Sequence, residues 1–591
     1  MLSAKQSISY PLPPGDSSLD ARSGKGFLRA LLSRVDGQLL LFTAVLAALA
    51  FVVLFPLVFL IINSFELARP GAPPVYGFGN WTAALTEPGI LTAIVNTLTR
   101  SLVAMAIAFP FGIFMAWLLA RTDVPGKNWL DLMFWLTFFL PALPVTLGWI
   151  LLLDPQAGAI NQALKAIAPG VPPLNIYSFW GIVWVHLVTK VTATKVILLV
   201  PIFRNMDGAQ EEAARTSGAS VLGTLARVVV PIMAPAILTI FTLSTIYSIQ
   251  SFEIEQVLGP PANFYVYSTK IYQLVHREPA QFGSATVLGV VILLGMLPLI
   301  LLQQRLVTRR NYTTITGKFS ARVLALGHWR WPAFGAVLTL ALVFTLLPLV
   351  LLLAGSFMRL FGYFNLANPF TFNHWHEVLA DPAFPKSLIN SIVLGIGTAA
   401  ISVSLCSMMA YIAVKSRFAA RGIIDFLSWL PITIPGIIMS LGLLWVFLDM
   451  PFLRPLYGTM GILIWATVLS SMALTVQLVK SHLLQIGSEL EESARISGGS
   501  WMYTFRRVIL PLLTPTLTTV GLVSFITAVQ NVVHVAILTT SGNQPLAIFQ
   551  LNYLSNGQYE AGAVVGVVVV VMTTGIAILG RLVGLRVSIQ G

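Results

Sequence analysis

The sequence predicts an all-α polytopic membrane protein of about twelve transmembrane helices, laid out as two tandem six-helix repeats. Three observations predict it: the apolar content, apolar runs of bilayer length, and one polar segment written twice. Of 591 residues, 56% are hydrophobic and 10% charged, and the mean hydropathy of +0.84 lies outside the range of a soluble domain. A helix needs roughly 20 apolar residues to cross a bilayer. With no water to bond there, the backbone must be satisfied inside each run, which makes the runs helical.

In chain order, residues 1–38 form a polar tail. The first span, Leu39 to Ile62, is too long for a removable signal and lacks a small-residue cleavage site, so it is retained, with an outer loop to residue 90. Residues 91–306 hold five further runs, near Ile94 to Ala120, Leu130 to Leu153, Phe179 to Ile202, Ile232 to Phe252 and Ala285 to Leu306. A basic linker, 307–331, leads to the seventh span, Pro332 to Gly355, and an outer loop that closes the segment 332–384. Residues 385–583 repeat the five-run pattern near Leu388 to Val414, Ile424 to Phe447, Gly458 to Val479, Leu512 to Ala536 and Ala561 to Ala577, before a tail of 584–591.

The net charge of +13 does not point to nucleic acid, because Lys and Arg are not gathered into a basic domain. They sit on alternate loops, as in Arg121 and Lys127, Arg204 and Arg215, the linker Arg305 to Arg330, and Lys480 and Arg495. By the positive-inside rule those loops and both termini face the cytoplasm. The lone cysteine, Cys406, lies in an apolar run, so neither a disulfide within the chain nor a thiolate metal site is available.

The repeat fixes the architecture. Glu212, Ala214, Arg215, Ser217, Gly218, Ser220, Arg227, Pro231 and Pro235 recur 280 residues later as Glu492, Ala494, Arg495, Ser497, Gly498, Ser500, Arg507, Pro511 and Pro515. A weaker match at an offset of 294 pairs NWTAALTEPGILTAIVNTL with HWHEVLADPAFPKSLINSI. Parallel halves of this kind enclose a path between them.

Each copy of the polar segment carries helix start and stop signals. Ser488 with Glu491, and Asp207 with Gln210, read as capping boxes. Gly218 and Gly498 supply a left-handed helix end, Ser220 and Ser500 cap the next helix, and Pro231 and Pro511 are placed to open the next span. The result is a short surface helix rigidly joined to a span, so that a soluble protein pushing on the helix moves the span.

This pattern resembles the EAA loop of binding-protein-dependent ABC importer permeases. Glu212, Ala213, Ala214 and Gly218 match in full, whereas Glu492, Ser493, Ala494 and Gly498 carry Ser for the middle Ala. The resemblance covers nearly the whole chain as two fused type I permease domains. It implies that both loops are coupling helices docking into clefts of two cytoplasmic ATP-binding cassette subunits, that an extracytoplasmic solute-binding protein delivers cargo, and that the chain resides in a bacterial inner membrane. The segments SFEIEQVLGPPANFYVYSTKIY and YTTITGKF further resemble fused ferric-iron importer permeases, a group close to permeases for 2-aminoethylphosphonate and polyamines.

The chain has no ATP site of its own. In TTITGKF, Phe319 stands where Ser or Thr should hold Mg²⁺ and Tyr312 where the first Gly should be. ATP and Mg therefore belong to partner subunits, and no cofactor is expected on this chain. The rival class is an ion-coupled secondary transporter, whose mark is ionisable residues in mid-span. His186 and Lys190 fall near the centre of the fourth span, where a Lys costs about 2.5 to 3.5 kcal/mol on insertion scales; their counterparts are Ala466 and Ser470. They either face neighbouring helices and a wet crevice or line the path. Glu253 and Glu255, one helix-length past Pro231, are placed near the outer end of the path, as interfacial carboxylates in water or as contacts for a hard cation. An embedded enzyme is disfavoured: HWHEVL at His374 to Leu379 lacks the second His of a metalloprotease helix, and no metal site is assigned.

Overall fold

A computed structural model describes residues 37–67, 73–206, 208–308 and 324–582. The expectations for the two tails, for TTITGKF and for the Asp207 cap lie outside the described residues. The first half consists of α1 (Gly37–Asn63), α2 (Ile90–Arg121), α3 (Lys127–Phe139), α4 (Ala142–Leu153), α5 (Phe179–Arg204), the surface helix α6 (Ala209–Thr216), α7 (Val230–Ile249) and α8 (Phe282–Thr308). The second half repeats the order as α9 (Arg330–Ser356), α10 (Ala383–Lys415), α11 (Arg421–Thr433), α12 (Gly436–Asp449), α13 (Met460–Leu483), α14 (Glu489–Ile496), α15 (Leu510–Val529) and α16 (Tyr559–Leu582). Among the described residues, ten helices are long and apolar enough to cross a membrane, and two bent pairs bring the number to twelve.

Those bent pairs refine the third and ninth spans, each expected as one apolar run: each is two helices meeting at a corner. The α3–α4 pair bends by 100° and the α11–α12 pair by 111°. A proline causes each corner. The ring of Pro141 pushes Leu140 out of the helical region to ψ 134°, and Pro435 pushes Ile434 to ψ 126°.

Pro231 and Pro511 also act differently from expectation. Neither opens a span. Helix begins already at Val221 and at Trp501, then passes through wide, π-type turns at Leu225–Val229 and Phe505–Ile509 just before each proline. The extra residue in such a turn moves the preceding carbonyls away from the prolyl ring, so the helix continues past a residue that would otherwise break it.

The halves are interlocked. α1 packs along α12 of the second half, and α9 packs along α4 of the first. At the two equivalent crossings the backbones nearly touch. A Cβ on Gly442 would stand 2.5 Å from the Pro56 carbonyl oxygen, and one on Gly148 would stand 2.4 Å from that of Pro348. The side of α1 turned away from the protein carries exposed Leu54, Phe55, Val58 and Ile61, as a face in lipid requires.

The weaker repeat has a structural reason. Trp81 Nε1 donates to Ser64 Oγ and Trp375 Nε1 to Ser356 Oγ, each at 3.3 Å, which ties each first helix to its outer hairpin. Asn96 Nδ2 donates to the Tyr265 carbonyl at 2.9 Å and Asn390 Nδ2 to that of Gln544 at 3.0 Å. These bonds hold the second span of each half against the loop that follows its fifth.

Candidate coupling surface and translocation seam

The repeated polar segments form α6 and α14, two short helices in equivalent places. Each is fastened to its half by the first of two consecutive glutamates. Arg121, buried at the end of α2, donates to Glu211 Oε2 from Nη2 at 2.8 Å and from Nε at 3.2 Å, and to the Met206 carbonyl at 3.1 Å. In the second half Lys415 Nζ reaches the equivalent Ile486 carbonyl at 2.5 Å, and Glu491 accepts instead from Tyr411 Oη at 3.2 Å. Tyr411 Oη in turn accepts from Trp501 Nε1 at 2.9 Å. The capping box expected at Ser488 does not form. The Ser488 side chain makes no cap bond, because Ser488 already has helical backbone angles (φ −71°, ψ −21°), and the Glu491 carboxylate accepts from Tyr411 instead.

The remaining motif residues face outward. Glu212, Ala213 and Gly218 are exposed in the first copy, as are Glu492, Ser493 and Gly498 in the second; Ala214 and Ala494 are half-buried. Gly218 at φ 86° and Gly498 at φ 84° take the left-handed conformation that ends each helix. A Cβ at either would meet nothing within 4 Å, so the glycine serves the backbone and not a close neighbour. Ser220 Oγ accepts from Gly223 N at 3.1 Å and Ser500 Oγ from Tyr503 N at 3.2 Å, starting the next helix as expected. On α14, Ile496 is 87% exposed, an apolar side chain with nothing of this chain over it.

Between the halves the four ionisable candidates part company. α5 is interrupted by a wide turn at Leu187–Val191, where Thr189 has φ −92° and ψ −141°. His186 ends the helix before it, and Lys190 lies within it. His186 Nε2 stands 2.8 Å from Glu255 Oε1. The same carboxylate lies 2.9 Å from Arg100 Nε and accepts from Ser251 Oγ at 2.6 Å, with Arg100 and Glu255 fully buried. Arg100 also donates to Ser248 Oγ at 3.0 Å and to the Ser248 carbonyl at 2.7 Å. All of these partners belong to the first half, so Glu255 is neutralised there and not bathed in water at an outer interface.

Lys190 and Glu253 turn the other way. Lys190 Nζ donates to Gln530 Oε1, across in the second half, at 3.0 Å. Glu253 lies beside Val532, two residues further on, at one small cavity. Glu253, Gln530 and Gln550 line a cavity of about 10 Å³ with the corner prolines Pro141 and Pro144, room for about one water. Gln250, which ends α7 as Gln530 ends α15, donates to the Ile432 carbonyl beside the other corner at 3.2 Å. Gln250 and Gln530, at equivalent helix ends, thus reach across the seam at two places through different bonds.

The profile of the binding-protein-dependent transport system inner membrane component matches the chain twice, over residues 108–312 and 391–589. The chain belongs to that family. Its relatives are ABC transporter permeases. The permease is 28% identical over 474 residues to the probable ABC transporter permease protein y4fN of Sinorhizobium fredii, covering 78% of this chain and 81% of the relative. It is 24% identical over 566 residues to the ferric transport system permease protein FbpB of Actinobacillus pleuropneumoniae, covering 92% and 78%. It is also 28% identical over 237 residues to the putative 2-aminoethylphosphonate transport system permease protein PhnV of Salmonella paratyphi A, covering 40% and 87%.

Sequence reasoning missed three residues that organise the permease's interior. Arg100 lies eleven residues into a 32-residue span, and an arginine at that depth was itself the signal. Gln250 and Gln530 recur at the 280 offset with only scattered matches around them, such as Ser244 with Ser524 and Ile246 with Ile526, so their bonds are what reveal their role.

Proposed function

We propose that this permease forms the translocation path of a bacterial ABC importer, taking solute from an extracytoplasmic binding protein and power from two cytoplasmic ATPase subunits. ATP and Mg stay on those subunits, and both termini of the permease lie in the cytoplasm. One observation carries the reading: α6 and α14 are equivalent, outward-facing helices, each fastened to its own half by a glutamate bond and joined by a tight glycine turn to the helix that runs on into the following span. Closure of an ATPase dimer beneath them would draw both together and shift α7 and α15, whose ends reach the opposite half through Gln250 and Gln530.

The cargo leans towards ferric iron, because the ferric transport relative aligns with 92% of the chain. 2-Aminoethylphosphonate or a polyamine is the alternative, and the alignment with PhnV supports the former. A second class, an ion-coupled secondary transporter, draws support from the ionisable groups of α5 and the Glu253–Leu258 turn.

The test is isolation of the complex from its own membranes, followed by vesicle uptake assays. The importer reading expects two ATPase copies per permease chain and uptake that stops without ATP. A chain isolated alone whose uptake follows an ion gradient would establish the carrier reading instead.

A further inference from the structure

The two halves are built on one plan, yet the charges inside them are not shared. Arg100, His186, Lys190, Lys195, Glu253 and Glu255 all lie in the first half; at the repeat offsets the second half has Leu394, Ala466, Ser470, Thr475, Val533 and Val535. The fourth span of each half follows the same asymmetry. α5 is interrupted at Lys190, whereas its counterpart α13 runs unbroken for 24 residues from Met460 to Leu483. Non-helical backbone at membrane depth is tolerated where it is buried in protein or lines a cavity, and interrupted spans mark solute sites in other transporters.

Within that charged half, Glu255 is already answered by Arg100 and His186. Lys190 and Glu253 feel each other's charge; towards the opposite half they meet neutral groups, Lys190 donating to the Gln530 amide and Glu253 lying beside Gln530 and Val532. When the seam opens, those neutral partners leave together, and one positive and one negative side chain are exposed side by side on one wall. At the repeat offsets the opposite half has the neutral Ser470 and Val533. A desolvated charge is costly unless it is paired.

From this we infer that Lys190 and Glu253 form a solute-contact site for a small zwitterion, its anionic oxygen group set against the Lys190 ammonium and its amine against the Glu253 carboxylate. Such a solute answers both charges as it displaces Gln530 and Val532. A polyamine answers only Glu253, and an anion only Lys190. This inference rests on the importer reading but departs from the ferric-iron cargo that overall alignment favours: the paired opposite charges suit the aminophosphonate class better than a bare hard cation.

The experiment uses the native complex, with its ATPases and binding protein, in vesicles. The probes are 2-aminoethylphosphonate and taurine as zwitterions, phosphate as an anion, spermidine as a cation, and ferric citrate. ATP-driven uptake of at least one zwitterion is expected, with a KM raised roughly tenfold or more by Lys190→Met and by Glu253→Gln. Lys190→Arg should restore most of the affinity, and immunoblots and melting temperatures identify any variant that fails to fold. An unchanged KM in well-folded Lys190→Met and Glu253→Gln overturns the site. ATP-driven uptake confined to spermidine, phosphate or ferric citrate overturns the zwitterion assignment and leaves the importer reading intact. Uptake that needs no ATP overturns the importer reading, and this inference with it.

Discussion

Glu255 shares its environment with Arg100 and His186 so closely that removing one partner and removing both have opposite consequences. Arg100→Leu leaves a buried carboxylate without its guanidinium, and breaking such a pair costs about 3–5 kcal/mol. Arg100→Leu with Glu255→Leu removes both charges, and unfolding titrations of the purified protein should show most of that loss recovered. A loss in the double variant as large as in the single would mean that the pair holds the fold through more than its charge. Outside the membrane, Glu87 offers a pH test. Burial raises its carboxyl, but Arg277 at 2.9 Å and Lys270 at 3.5 Å outweigh this and hold it below the usual range. A depressed folded value stabilises above the unfolded value of about 4.3, and that contribution is lost as the pH falls through the folded value. Glu87→Gln should therefore flatten the acid side of a melting-temperature profile and leave its alkaline side unaltered. The residue scale was only partly legible. The glycines of the repeated motif declared their left-handed role through position, because a helix end needs a residue without a Cβ penalty. Glu253 and Glu255 looked alike in sequence, but both lie on the short helix Glu253–Leu258 after α7, where residues two apart take different faces, one towards the seam and the other towards Arg100.

At the scale of elements, the corners and crossings carry the most consequence. Hydropathy averaged over a window reads α3 with α4 as one span, because the residues around Pro141 are as apolar as those on either side. The prolines were visible, but a proline can bend a helix slightly or break it, and only the neighbouring helices decide which. The crossings at Gly148 and Gly442 were not legible at all, since hydropathy says nothing about which helix a span packs against. They are testable. Gly148→Ala puts a methyl where the Pro348 carbonyl oxygen already sits, and overpacking of this kind costs about 1–3 kcal/mol. Gly218→Ala meets no neighbour and is penalised only by its φ of 86°, a backbone strain of order 1–3 kcal/mol confined to the end of α6. Thermal unfolding should show Gly148→Ala lowering the melting temperature of the whole bundle, with Gly218→Ala leaving it near the parent value. A reversal of that order would contradict the interlocked packing.

For the whole molecule, exchanged first helices make the two halves one body, and the contacts of Gln250 and Gln530 close the seam inside it. The duplication and the span count followed from the sequence because a repeat and an apolar run are one-dimensional signals. The exchange of α1 and α9, the seam and its one-sided charge needed the third dimension. The account rests on motion entering through α6 and α14. It is tested most directly by measuring ATP hydrolysis and ATP-driven uptake together, in the reconstituted complex, for Gly218→Val and Glu492→Lys. Uptake reduced roughly tenfold or more while hydrolysis continues and the protein stays in the membrane is the predicted result; normal uptake by both variants would contradict it.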